Sequence, residues 1–164
     1  MGGEKMGKEK ATIVVFSGDL DKVMAAFIIA NTAAAMGKDV TMFFTFWGLN
    51  VLRKSILNLR APNILQKLFS FLNRGGKERL PLSKFHLFGA GTFMTKLLMK
   101  IYKIPTITES LKIAKEQGVK IIACTTTIGF MGLSRDSFIP EVDDLAGAST
   151  YLGEAFDGKV NLFI

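Results

Sequence analysis

Short apolar runs rich in β-branched residues punctuate this chain, and between them lie longer segments whose apolar positions recur at helical spacing. Residues 11–16 (ATIVVF) form the first such run and predict a buried strand. Ser17, Gly18, Asp19, Leu20 and Asp21 read as a strand-to-helix turn, with Ser17, Asp19 or Asp21 placed to cap the helix. Residues 20–36 are Ala-rich, apolar on nearly every side and followed by Gly37, which predicts a sheet-packed helix ended by a glycine cap. Residues 39–46 (DVTMFFTF) predict a second buried strand. Strand, helix and strand in that order make a βαβ unit, with parallel pairing and a right-handed crossover.

The middle is less regular. Residues 46–50 (FWGLN) read as a loop. In residues 62–73, Ile64, Leu65, Leu68, Phe69, Phe71 and Leu72 oppose Asn63, Gln66, Lys67, Ser70 and Asn73, the pattern of an amphipathic helix. Residues 74–79 (RGGKER) predict a charged, mobile turn. Helices are expected over 91–102 and over 106–117, the second ending at Gly118. Residues 119–124 (VKIIAC) predict a third buried strand, after which Thr125, Thr126 and Thr127 lead into 128–133. Residues 141–156 predict a helix with Asp143 and Asp144 in its first turn, and residues 160–164 a last strand. The expected architecture is a single α/β domain over 11–164, three-layered and doubly wound like flavodoxin around a mostly parallel sheet, behind a flexible tail of residues 1–10.

Composition narrows the class. A chain of 164 residues fits one domain, and 49% hydrophobic residues suffice for a full core, so general disorder is excluded. A single cysteine allows no intramolecular disulfide, no CxxC pair and no Cys-rich zinc site, which points to a reducing, cytoplasmic setting. The opening MGGEKMGKEK lacks the apolar core of a signal peptide, and the longest uncharged run, 23–37, is too short to span a bilayer. The net charge of +7 is uneven. Eleven Lys/Arg against Glu78 alone mark residues 52–103, whereas six acids face only Arg135 and Lys159 from Ser134 onward. Such a split suits an anionic partner, self-association of opposite patches, or a solvated surface.

Candidate chemistry follows from where loops fall. Ligands of open parallel sheets bind beyond the carboxyl ends of the strands. The loops starting at Ser17, Trp47 and Cys124 meet that rule. Cys124 closes its strand just before a potential helix start, whose free N–H groups favour a thiolate over a thiol. The bland alternative is a buried cysteine acting as a small hydrophobe. His86, the only histidine, lies in an apolar run and forms no Cys-His pair in sequence. Ser17, Gly18 and Asp19 resemble a phosphate turn only loosely, because neither GxGxxG nor a P-loop is present. Gly89, Ala90, Gly91 and Thr92 form a glycine-rich helix start that would suit an anion or simply close backbone approach. Asp19, Asp21, Asp143 and Asp144 show no metal-ligand spacing, so neither metal nor cofactor is expected. The helix at 62–73 suits its own domain, a sister subunit or an anionic membrane surface. Nucleic acid is not an expected partner, since the aromatics do not interleave with the basic residues.

Several strings carry a resemblance to a known family. They are SGDLDK at 17–22, AAFIIAN at 25–31, FFTFWGL at 43–49, GAGT at 89–92 and IIACT at 121–125. With them, nearly the whole chain after residue 11 resembles the DsrE/DsrF/DrsH-like superfamily, in particular its DsrE-like branch, often labelled peroxiredoxin. The resemblance implies a parallel α/β sheet, homo-oligomers, and a sulfur-relay role with Cys124 as the strand-end cysteine that carries sulfane sulfur. It implies TusA-like carriers or rhodanese-type sulfurtransferases as partners. Peroxide reduction is disfavoured: no Pro or Thr/Ser shortly precedes Cys124, and Arg135 fits no peroxiredoxin pattern. The expectation is therefore a sulfur-relay protein in which Ser17, Gly18, Asp19, Trp47 and Asn50 line a pocket. Thr125, Thr126 and Thr127 would stabilise the sulfur adduct on Cys124. A non-catalytic, oligomeric ligand-binding module or scaffold is the alternative.

Overall fold

The computed structural model describes residues 9–54, 63–73 and 75–164. In chain order, β1 (Lys10–Val15), α1 (Leu20–Ala35) and β2 (Asp39–Phe44) come first, and a 3-10 turn (Phe46–Gly48) runs into α2 (Leu49–Leu52). Then come α3 (Ile64–Leu72), α4 (Ala90–Ile101) and α5 (Ile107–Glu116). The last elements are β3 (Lys120–Cys124), α6 (Thr125–Phe130), β4 (Asp144–Ala146), α7 (Ala148–Phe156) and β5 (Gly158–Phe163). Gly37, at φ +77°, takes the left-handed conformation that stops α1. At the other end of α5 the Thr106 hydroxyl accepts from Glu109 N–H while the Glu109 carboxylate accepts from Thr106 N–H, a capping box.

All five strands run parallel in the order β4-β3-β2-β1-β5. Four strands step in one direction and β5 returns to the far side of β1. The sheet is thus doubly wound as expected, but the reversal follows β4, which differs from the 2-1-3-4-5 order of flavodoxin. Because side chains alternate along a strand, the sheet has two apolar faces. Ile13, Val15, Met42, Phe44, Ile121 and Ala123 pack in one core with Val23, Phe27 and Ala30 of α1 and Leu111 of α5. Val14, Phe43, Ile122, Cys124 and Ala146 form a smaller cluster on the other face, joined by Tyr151 of α7. Tyr151 stacks on Phe43 with ring centroids 5.1 Å apart, and its hydroxyl lies 3.2 Å from Thr12 Oγ1.

The expected helix over 141–156 is corrected. Residues 144–146 are instead a strand, paired Ile122 to Asp144, Ala123 to Leu145 and Cys124 to Ala146, and the helix begins only at Ala148. Asp143 is not in a helical first turn. Its carboxylate accepts from Ile121 N–H at 2.7 Å and from Lys115 Nζ at 2.5 Å, which pins the chain to the edge of β3. The second strand ends at Phe44, two residues short of expectation, because Phe46 turns to φ +45° and opens the 3-10 turn. In the segment expected to be a mobile turn, Gly75 and Gly76 are buried and residues 77–79 form a 3-10 turn; Arg74 lies outside the described residues. Lys10 already opens β1, and residues 1–8 of the expected tail lie outside the described residues. Among the described residues, no helix is long and apolar enough to cross a membrane.

Candidate functional site

The carboxyl ends of β1, β2 and β3 bring three loops together. Their closeness rests on small residues. A Cβ on Gly48 would stand 2.0 Å from Val15 O, and one on Gly18 would stand 2.7 Å from Trp47 O. The loop after β1 therefore lies directly against the loop after β2. Gly48 N–H donates to Phe16 O at 2.9 Å, and Thr45 N–H donates to Val15 O at 3.0 Å, which fasten the two loops.

Cys124 sits at the third strand end and is also the residue that precedes the first turn of α6. It is 5% exposed. Burial pushes its thiol up, but the nearby Thr127 N–H, the Thr45 and Thr127 hydroxyls and the Thr126 N–H favour the charged sulfur and outweigh burial. The net direction is down from the ordinary thiol value. The two hydroxyls also meet each other, with Oγ1 atoms 2.9 Å apart, and Thr127 Oγ1 accepts from Phe46 N–H at 3.3 Å. Each hydroxyl has one proton, so an anionic sulfur, an acceptor only, draws protons that a neutral thiol would leave shared between the threonines. The sulfur thus lies beside polar groups that favour its negative charge.

Around this centre the expected residues fall into different roles. Thr127 is buried against the sulfur, whereas Thr125 and Thr126 are exposed above it. Thr125 Oγ1 lies 3.8 Å from where a Cβ on Gly147 would be, so the start of α7 borders the same strand ends. Trp47 is partly exposed beside Gly18. Ser17 and Asp19 bond mainly to each other: the Ser17 hydroxyl donates to Asp19 Oδ2 at 2.9 Å and accepts from Asp19 N–H at 3.1 Å, and Lys22 pairs with Asp19 at 2.8 Å. Asn50 faces elsewhere. Its amide donates to Asn73 Oδ1 at 2.9 Å and its carbonyl oxygen accepts from Arg53 at 3.2 Å, a network that ties buried Arg53 to Asn73. Sequence reasoning missed Thr45, the polar residue that closes the apolar run of β2; its position at the same sheet end as Cys124 was the available signal.

Fold and site together define a parallel α/β protein whose single cysteine ends a strand at the sheet's carboxyl edge. The sequence profile of the DsrE/DsrF/DrsH-like family matches residues 7–163, and the chain belongs to that family. Among its relatives is the uncharacterized protein YrkE of Bacillus subtilis (strain 168). The two are 44% identical over 156 residues, which cover 95% of this chain and 97% of YrkE. Another is the sulfur carrier protein DsrE2 of Allochromatium vinosum, 31% identical over 168 residues, covering 97% of this chain and all of DsrE2. Two solved structures share the fold. One is MTH1491 of Methanobacterium thermoautotrophicum, a protein of unknown function (TM-score 0.53, 14% identity, 95% of this chain and 99% of that one). The other is ychN of E. coli (TM-score 0.52, 12% identity, 94% and 99%).

Proposed function

We propose that this protein is a sulfur carrier in which Cys124 accepts sulfane sulfur and passes it on. The observation that carries the reading is the place of Cys124 at the carboxyl end of β3, beside the paired Thr45 and Thr127 hydroxyls, a setting that lowers its thiol against the opposing effect of burial. The likeness to a sulfur carrier protein over the full chain supports it. In the loading step the Cys124 thiolate attacks the outer sulfur of a persulfide donor. A new S–S bond forms at Cys124 as the donor's S–S bond breaks, and the donor departs as a thiolate with that electron pair. In the unloading step an acceptor thiolate attacks the outer sulfur and Cys124 leaves as a thiolate. A lowered thiol is a good leaving group, so the donors that favour loading also favour release. Trp47, exposed in the loop after β2, supports docking of a protein partner with an accessible thiol, such as a TusA-like or rhodanese-like carrier.

The second reading, a non-catalytic ligand-binding module or scaffold, draws support from the burial of Cys124, since sulfur transfer needs local opening of the loop above it. Intact mass spectrometry separates the two. Reduced protein is incubated with polysulfide, thiosulfate or tetrathionate beside a Cys124→Ser control. A wild-type gain of one sulfur or of one thiosulfate-sized group, reversed by reductant and absent from the control, establishes the carrier. No adduct from any donor, with the fold intact by circular dichroism, leaves the module.

A further inference from the structure

Helix α4 carries its apolar stripe on the wrong side for a core helix. Phe93, Leu97 and Ile101 recur every four residues, with Met94 and Leu98 beside them, and Phe93, Leu97 and Ile101 are 72%, 48% and 61% exposed. Only Gly91 and Met99 of this helix are buried. An amphipathic helix of a globular domain normally turns such a stripe inward. The loop leading into α4 does the same. Phe85, Leu87 and Phe88 hold positive φ angles of 57°, 39° and 55°, and all three side chains stand in solvent. Large non-glycine residues resist that conformation, so the loop exposes apolar bulk at a cost in backbone strain.

Charge decides what would cover this face. Lys96 and Lys100 lie one turn apart along one edge of the stripe, and with Lys103 and Lys77 they border a groove of about 710 Å³ beside α4, where Lys96 Nζ also donates to Glu78 O at 2.7 Å. The groove also carries Glu78, which accepts from the Thr108 hydroxyl, Glu109, which caps α5, and Glu116, which pairs with Lys112 at 3.8 Å, and its five lysines outnumber these three carboxylates. Two copies joined face to face would oppose lysines to lysines, because residues 52–103 contain no acid but Glu78. An apolar stripe edged by lysines matches a bilayer of anionic lipids instead: the stripe enters the acyl boundary and the ammonium groups stay at the headgroups.

We infer that the face built by residues 85–103 docks the protein on an anionic membrane surface. The test is co-sedimentation of the full chain with vesicles of phosphatidylcholine alone or mixed with phosphatidylglycerol, at low and high salt. The wild type is expected to bind the mixed vesicles, to bind phosphatidylcholine weakly, and to release as salt rises. Each lysine near an anionic surface is worth about fivefold in binding, so the triple variant Lys96→Gln, Lys100→Gln, Lys103→Gln is expected to weaken it on the order of a hundredfold. Leu97→Glu with Ile101→Glu, both at exposed positions, is expected to abolish it with unchanged circular dichroism. Equal binding to both vesicle types, no binding to anionic vesicles at low salt, or an unaltered Leu97→Glu, Ile101→Glu variant overturns the inference. So does finding that this variant only converts a wild-type dimer to monomer in light scattering, which would assign the face to a second copy.

Discussion

Thr127→Val is the most direct perturbation of the proposed thiolate site. Valine keeps the shape of threonine, so no cavity opens around Ile128 and Cys124. What is lost is one hydroxyl with three neighbours: the Thr45 hydroxyl at 2.9 Å, Phe46 N–H at 3.3 Å and the Cys124 sulfur. Leaving a buried polar group unsatisfied costs about 1–3 kcal/mol, and Thr45 Oγ1 and Phe46 N–H both lose a partner. Valine recovers part of this through its extra apolar surface, so the net destabilisation is expected at about 1–2 kcal/mol. The effect on the thiol has a definite sign. A hydroxyl that favours the charged form is removed while burial is kept, so the Cys124 pKa rises and less thiolate is present near neutral pH. Urea unfolding measures the first effect, and the pH profile of iodoacetamide alkylation measures the second. The midpoint of that profile should move to higher pH in Thr127→Val, and sulfur loading near neutral pH should slow in parallel. An unshifted alkylation profile in a folded variant would refute the claim that the threonine hydroxyls poise the sulfur.

Other expectations follow from the same contacts. The Cys124 thiol is lowered in the folded state, so its ionisation adds stability that is complete above the unfolded thiol's value and disappears as pH falls through the folded one. Urea midpoints of the wild type relative to Cys124→Ser should therefore rise as pH is raised toward about 9, and a flat difference would count against the lowered thiol. Gly48→Ala places a Cβ 2.0 Å from Val15 O, so the β2 loop must shift; a loss of several kcal/mol or of soluble protein is expected, and a neutral substitution would mean that the loops separate readily. Asn50→Ala should destabilise by about 1–2 kcal/mol through the Arg53 and Asn73 network while leaving Cys124 loading rates unchanged by mass spectrometry. Asp143→Ala removes the acceptor of Ile121 N–H and of Lys115, and should cost about 1–3 kcal/mol in the same unfolding assay.

Much of this could be read from the chain itself. The apolar, β-branched runs at 11–16, 39–46 and 119–124 can be satisfied only where both faces of a strand are buried, which dictates a covered parallel sheet. Gly37 and Gly118 mark helix ends by local chemistry that needs no distant partner. Cys124 at the end of its strand, followed by three threonines, was likewise visible, because strand and turn signals are local. Tertiary structure decided the rest. β4 is three residues long and exists through pairing with β3 and the bonds of Asp143, so its sequence looks like the front of a helix. Thr45 reaches the sulfur's environment across 82 residues of chain, and Asn50, close to Trp47 in sequence, turns the other way to Asn73. The outward stripe of α4 has the same period as an inward one. Periodicity specifies which residues share a face, and only the packing of the other elements determines whether that face meets the core or the surroundings.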